Sequence, residues 1–243
     1  LARAFPHAAI LTDGGALAAR LRGSGRVQAL PRAFDAELEE DFAALSDSAV
    51  PLPGGGRLLI HPTPALVAID VDAGSHAGGR DGTEVLRLNR LAVAEVARQI
   101  RLRNLGGAIL LDLAGLSPKA REALEKPFAE ALAEDPLKPR LLGLTRLGLF
   151  EVQRTRLHPP LHEVLGLPPS ALTRGLAALR LAMREAAAMP GRRLVLRAAP
   201  EVLAALEALP GALAEFAEGA GFALRLLAEP GLRPGAESIE EAR

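Results

Sequence analysis

Hydrophobic and polar positions change period several times along this chain, and each change marks an element. Residues 7–13 (His-Ala-Ala-Ile-Leu-Thr-Asp) read as a strand, Ala16 to about Arg22 as a short helix, Arg26 to Leu30 as a second strand, and Asp35 to about Leu45 as a helix. Pro51, Pro53 and Gly54-Gly55-Gly56 break the pattern. The apolar runs Arg57–His61 and Ala65–Asp72, joined by Pro62-Thr63-Pro64, have the spacing of a hairpin. Helical period then takes over: Val85, Leu88, Ala92, Val96 and Ile100 fall on one stripe, predicting a helix capped by Thr83 and running to about Leu105. Gly106-Gly107 stop it. The strand 108–113 shows no polar alternation, which predicts burial on both faces. Ser117 caps a further helix to about Glu134, and Arg140–Thr145 and Leu149–Arg154 read as strands. After Pro168-Pro169 the chain turns to Ala and Leu. A helix (171–188), a strand (193–198), one or two helices (200–219) and a strand (222–227) form a small α/β unit there, and the tail from Pro230 is expected to fray. Leu176, Leu179 and Met183 share one helical stripe, which reads first as a core stripe and alternatively as an interface between copies.

Composition narrows what this α/β chain can do. With 243 residues it can bury a sizeable core and hold up to three compact units. Formal net charge is +0, so any nucleic-acid surface must be local. Cysteine is absent, which excludes disulfides, thiolate nucleophiles and Cys-ligated zinc. No apolar stretch reaches the length of a membrane span, and the start does not read as a signal peptide, so the expectation is a soluble, cytoplasmic protein with no membrane partner. The chain opens on Leu1 rather than Met, as a fragment of a longer protein would.

The candidate chemistry lies where two apolar runs end in acids. Leu66-Val67-Ala68-Ile69 leads to Asp70-Val71-Asp72, and Gly107-Ala108-Ile109-Leu110-Leu111 leads to Asp112. Asp70 and Asp72, at i and i+2, project from the same face of their strand. If the two strands are neighbours, three carboxylates converge, and like charges that close need a counter-charge. A hard divalent cation with oxygen ligands, Mg²⁺ or alternatively Mn²⁺, is the usual compensation. The plainer reading leaves Asp72 facing solvent and Asp112 capping a turn. Arg87, Arg90, Arg98 and Arg101 share the polar side of the long helix with no acid in their stripe, and Lys138, Arg140, Arg146, Arg154 and Arg156 form a second basic stretch. Arginine forks suit phosphate oxygens, although an ordinary solvated face explains such a stripe as well. The loop Gly74-Ser75-His76-Ala77-Gly78-Gly79-Arg80-Asp81-Gly82 leads into a helix and could hold a phosphate, but it is no Walker loop. His76 is the one histidine near the acidic strand; the five histidines show no zincin spacing.

These residues resemble the ribonuclease E/G family. The resemblance rests on Ala65 to Gly74, Gly78-Gly79-Arg80-Asp81, Asn89, Ala97-Arg98-Gln99-Ile100-Arg101-Leu102-Arg103-Asn104-Leu105-Gly106-Gly107, Leu110-Leu111-Asp112 and Thr145 to Arg156. It is strong over 57–160 and weak elsewhere. It implies an α/β chain with an RNase H-like remnant at 1–50, a DNase I-like catalytic subdomain at 51–165 and a small C-terminal α/β domain at 166–243. Acids at the positions of Asp70 and Asp112 bind the catalytic Mg²⁺ in that family, and the position of Asp72 is usually Asn. Ser75 stands where a basic residue is common. The family's N-terminal oligonucleotide-binding barrel and 5′-phosphate sensor have no counterpart here. The cysteines that link its protomers through zinc are missing too, so any homo-oligomer must form without that link.

The resulting expectation is a Mg²⁺-dependent endoribonuclease that cuts single-stranded RNA, in RNA processing or decay, leaving 5′-phosphate and 3′-hydroxyl ends. Asp70 and Asp112 hold the metal, Asp72 stands beside them, and Arg98, Arg101, Arg146 and Arg154 approach the RNA backbone. The alternative is a catalytically degenerate RNA-binding or assembly protein of the same fold. The lack of Trp and Tyr argues against base stacking as the main binding mode. A glycosyltransferase using Asp70-Val71-Asp72 leaves Asp112 and the arginine helix unexplained.

Overall fold

A computed structural model describes residues 5–30, 32–74 and 82–242. The chain divides into two compact units, Leu1–Asp47 and Ser48–Arg243. In the first, β1 (Ile10–Thr12) pairs in parallel with β2 (Val27–Ala29) across α1 (Gly15–Leu21), and α2 (Ala36–Ala44) follows. Asp35 caps α2 by accepting a hydrogen bond from the Leu38 amide at 2.8 Å. β1 is shorter than the apolar pattern predicts because Phe5 to Ala8 close a turn, whose carbonyls at 5 and 8 both accept from the Arg26 guanidinium.

The second unit begins at Ser48 because β3 (Ala49–Pro51), which the prolines concealed in the sequence, pairs antiparallel with β4 (Arg57–Pro62). Gly56 turns between them with φ +85°, and a Cβ there would stand 2.8 Å from the Asp72 carbonyl oxygen, so only glycine fits. β4 pairs antiparallel with β5 (Val67–Asp72), the expected hairpin. α3 (Gly82–Leu102) crosses to β6 (Gly107–Asp112), which lies parallel to β5. Thr83 thus lies inside the helix rather than at its cap. α4 (Pro118–Glu122) and α5 (Glu125–Leu132) are two helices where one long one was expected, with buried Leu124 at the junction and Ser117 capping the first. β7 (Arg140–Leu144) and β8 (Phe150–Arg154) complete a sheet of order β3-β4-β5-β6-β8-β7.

One face of this sheet carries Leu58, Ile60, Ile69, Val71, Ile109 and Leu111, which pack with the buried stripe of α3 and with Phe128 and Leu132 of α5. The other face carries Ala108 and Asp112, both exposed, and partly exposed Leu110. β6 is therefore not buried on both faces, as its uniform apolarity predicted. Its outward positions before Asp112, Ala108 and Leu110, are apolar, which hides a period-2 strand in a continuous run.

After α6 (Leu161–Leu165), the C-terminal part of this unit has its own sheet. α7 (Ala171–Ala188), β9 (Leu194–Ala198), α8 (Pro200–Ala208), α9 (Ala212–Ala220), β10 (Arg225–Ala228) and β11 (Ser238–Glu241) follow in order. β9 is central, with β10 parallel on one side and β11 antiparallel on the other. The tail is thus an ordered edge strand and does not fray. Ile239 packs on the local core, Glu237 pairs with Arg174 at 2.9 Å, and Glu240 pairs with Arg197 at 3.2 Å. Leu176, Leu179 and Met183 pack against that core as a core stripe.

Candidate functional site

Asp70 and Asp112 are register partners at the carboxyl ends of β5 and β6. Because the strands are parallel, the two acids leave the same edge on the same face, opposite to α3. Neighbouring strands lie about 5 Å apart, so each carboxylate feels the other. Burial, then the charges of Asp112 and Asp72, push the Asp70 carboxyl above its usual range; the His61 charge and the Val71 amide pull it partly back. His61 comes from β4, opposite Ala68.

Asp72 shares this face but is turned to other work. Its Oδ1 accepts from the Gly74 amide at 2.8 Å, and its Oδ2 accepts from Arg57 Nε at 3.0 Å and Nη2 at 2.9 Å. The Gly74 amide first, then Arg57, hold its carboxyl below the usual range. Arg57 is the register partner of Asp72 in the hairpin. Among the described residues no three His, Cys, Asp or Glu side chains gather within reach of one metal ion. The expected three-way convergence is thus a pair, Asp70 with Asp112, while Asp72 is drawn toward Arg57.

Asp112 has its own cation. Arg121, projecting from α4, donates from Nη1 to Asp112 Oδ1 at 3.0 Å and to the Gly148 carbonyl at 2.7 Å, and from Nη2 to the Leu113 carbonyl at 2.8 Å. Gly148 lies in the turn between β7 and β8, so one guanidinium ties the end of β6 to that turn. The loop after Asp112 is fixed from the other side by Asn89, fully buried on α3. Its amide nitrogen donates to the carbonyls of Val85 (2.8 Å) and Ala114 (2.9 Å), and its oxygen accepts from the Ala114 amide at 3.1 Å. Three carboxylates therefore face two guanidinium groups, and Asp70 is the acid without an ion pair among the described residues.

The expected arginines scatter. Arg146 is exposed in the β7–β8 turn, two residues from Gly148 and so at the acidic end of the sheet. Arg98 and Arg101 lie near the far end of α3, on the sheet's opposite side, and each has an acidic partner: Glu95 at 3.0 Å and Glu134 at 3.4 Å. The helix stripe is thus not free of acids. Arg154, expected on the basic strip, is not at the surface. It is buried, with Nε on Asp135 Oδ2 at 2.8 Å and Nη1 on Asn104 Oδ1 and the Leu105 carbonyl, both at 2.9 Å. A strand residue facing a covered side cannot reach solvent, whatever its charge. Arg156 pairs with Glu163 at 3.5 Å. Ser75, His76 and the rest of the glycine-rich loop from 75 to 81 lie outside the described residues.

Sequence reasoning missed Arg57 and Arg121, the arginines that bond the acids among the described residues. Arg57 was within reach: counting back along the hairpin register from Pro62 opposite Val67 brings 57 opposite 72. Arg121 left no comparable signal, because its contacts span a loop and a turn 27 residues away.

An α/β layer with an acidic pair ending adjacent parallel strands is the class that fold and site define. The chain belongs to the ribonuclease E/G family, whose sequence profile matches residues 26–157. It is 41% identical over 121 residues to ribonuclease E of Synechocystis sp., which is 49% of this chain and 18% of that protein. It is 36% identical over 129 residues to ribonuclease E of Escherichia coli (strain K12), 52% of this chain and 12% of that protein. With the chloroplastic ribonuclease E/G-like protein of Arabidopsis thaliana it shares 33% over 138 residues, 55% of this chain and 14% of that protein. The matched stretch thus spans less than a fifth of each of these relatives. No helix among the described residues is long and apolar enough to cross a membrane.

Proposed function

We propose that the Asp70–Asp112 face is the catalytic face of a metal-dependent endoribonuclease acting on single-stranded RNA. The observation that carries this reading is the register pairing of Asp70 with Asp112 on an exposed face, with Asp70 having no ion-pair partner among the described residues. The donor set fits Mg²⁺, which is typically held by one or two carboxylates and keeps several waters. When bound, such a cation lowers the pKa of a coordinated water and offsets charge developing on a phosphoryl oxygen. The chain's own residues supply the rest. Asp70 and Asp112 hold the cation, Arg57 keeps Asp72 beside the site as a fixed negative neighbour, and Asn89 stiffens the loop behind Asp112. Arg146 is the arginine we assign to a phosphate next to the acids, and Arg98 and Arg101 to a stretch of backbone farther along. Hydrolysis by this route leaves a 5′-phosphate and a 3′-hydroxyl and does not use the 2′-hydroxyl. Activity of this kind belongs with RNA processing or decay.

The test is incubation of the chain with a 5′-labelled single-stranded RNA in Mg²⁺, in Mn²⁺ and in EDTA, beside Asp112→Asn. Cleavage should require the metal and fall roughly a thousandfold in the variant, at 1.36 kcal/mol per decade, while RNA binding holds or tightens. Full activity in Asp112→Asn would refute the role. A second reading is a non-catalytic RNA-binding protein, favoured by the internal cations that Arg57 and Arg121 already supply to Asp72 and Asp112. RNA binding with no cleavage in any divalent metal would establish it.

A further inference from the structure

Among the described residues Asp112 is the member of the acidic pair held by a cation, and the way it is held is informative. Arg121 is largely buried, with its side chain 16% exposed, and it grips Asp112 by Oδ1 alone. The same Nη1 also bonds the Gly148 carbonyl, Nη2 bonds the Leu113 carbonyl, and Nε reaches the Leu116 carbonyl at 3.4 Å. Four acceptors on one planar fork fix the guanidinium, and the fixed guanidinium then fixes the carboxylate rotamer. Oδ2 of Asp112 has no such hold among the described residues, and it belongs to the residue that opposes Asp70 in register.

We infer that Arg121 is a positioning residue for the metal site: it pins Asp112 through Oδ1 so that Oδ2 is presented with Asp70 to one divalent cation, and its charge limits how tightly that cation is held. This rests on the metal-site reading of the acidic pair. The two effects of Arg121 oppose each other. Its geometry favours productive presentation of Asp112, and its positive charge repels the ion. A residue that only braced the scaffold would have the first kind of effect without the second. Lysine is a discriminating replacement, because a compact ammonium keeps the charge but not the planar fork that spans Asp112 and three backbone carbonyls.

The experiment titrates the full chain with Mn²⁺ alone, following the free ion by EPR, for wild type, Arg121→Gln, Arg121→Lys and Asp112→Asn, with thermal melts of each and kcat and KM on single-stranded RNA. Arg121→Gln should bind Mn²⁺ about three- to tenfold more tightly, since a unit charge within several ångströms has been removed. Its kcat should nevertheless fall about a hundredfold with KM within a factor of two, the mark of an interaction that matters after binding. Arg121→Lys should return Mn²⁺ affinity to the wild-type value while restoring kcat only in part. Arg121→Gln that leaves Mn²⁺ affinity unchanged, or that weakens it along with the melting temperature, overturns the inference and reduces Arg121 to a brace. If wild type and Asp112→Asn bind Mn²⁺ alike, the metal-site reading itself fails and Arg121 falls with it. Loss of binding in Asp112→Asn with no change in Arg121→Gln removes Arg121 alone.

Discussion

At Asp70, burial and the charges of Asp112 and Asp72 act in the same direction, so the folded chain holds this carboxyl's proton more tightly than the unfolded chain does. Between the ordinary carboxylate value and the raised one, the native state carries more protons, and stability is lost as pH rises through that window. Asp70→Asn removes this cost. Without metal, its melting temperature at pH 7 should exceed wild type by about 1–2 °C, a small shift because the group is solvent-screened, and the difference should vanish near about pH 3, where both states are protonated. Saturating Mg²⁺ should reverse the order, since only the wild type gains from ligand linkage. Equal melts at pH 7 in both conditions would contradict the assignment.

Among elements, the junction of α3 and β6 explains why the arginine-rich segment reads as it does. Arg103 donates to Gln99 at 2.7 Å, and Gln99 donates to Glu95 at 2.7 Å. Asn104, at φ 49°, donates to the carbonyls of His158 and Pro159 and accepts from Arg154. Much of that motif is therefore a lock between α3, β6 and β8, built around the Arg154–Asp135 pair. Asp135→Ala, which strands a buried guanidinium, should cost about 3–5 kcal/mol, read from urea unfolding. A loss under 1 kcal/mol would mean that water already reaches the pair. Arg98 and Arg101 differ, because exposed ion pairs contribute little and are easily exchanged for phosphates. The double Ala variant should make the log–log salt dependence of single-strand binding shallower by up to about 1.4, at roughly 0.7 per phosphate. An unchanged slope in filter binding would show that the strip meets no RNA.

For the molecule as a whole, the C-terminal edge of Ser48–Arg243 depends on its last strand. β11 supplies one of the two partners of β9 and brings Ile239 onto two neighbouring core clusters. Ile239→Ala should lower stability by about 2 kcal/mol; a variant that unfolds like wild type in urea would show that β11 adds pairing but no packing. Assembly is a second matter at this scale. With no cysteine in the chain, a thiolate-zinc link between copies is unavailable, so a chelator should leave the size seen by light scattering unchanged. Dissociation by chelator would point to a metal bridge built from other residues.

The hydrophobic period alone determined most of the elements of the second unit and the face on which Asp70 and Asp72 stand, because a strand's alternation and a helix's stripe are local properties. The order of the motifs was enough to identify the family. Three things were decided only by tertiary structure. Which apolar strand face is covered depends on where α3 and α5 pack, so β6 turned out half open. Which arginines reach solvent depends on the same packing, which buried Arg154 and left Arg146 at the acidic edge. Which cation meets which acid depends on register and on chain segments far apart in sequence. Asp72 is held by the residue across its hairpin and Asp112 by a guanidinium anchored to a distant turn, and charge at long sequence separation leaves no periodic trace to read.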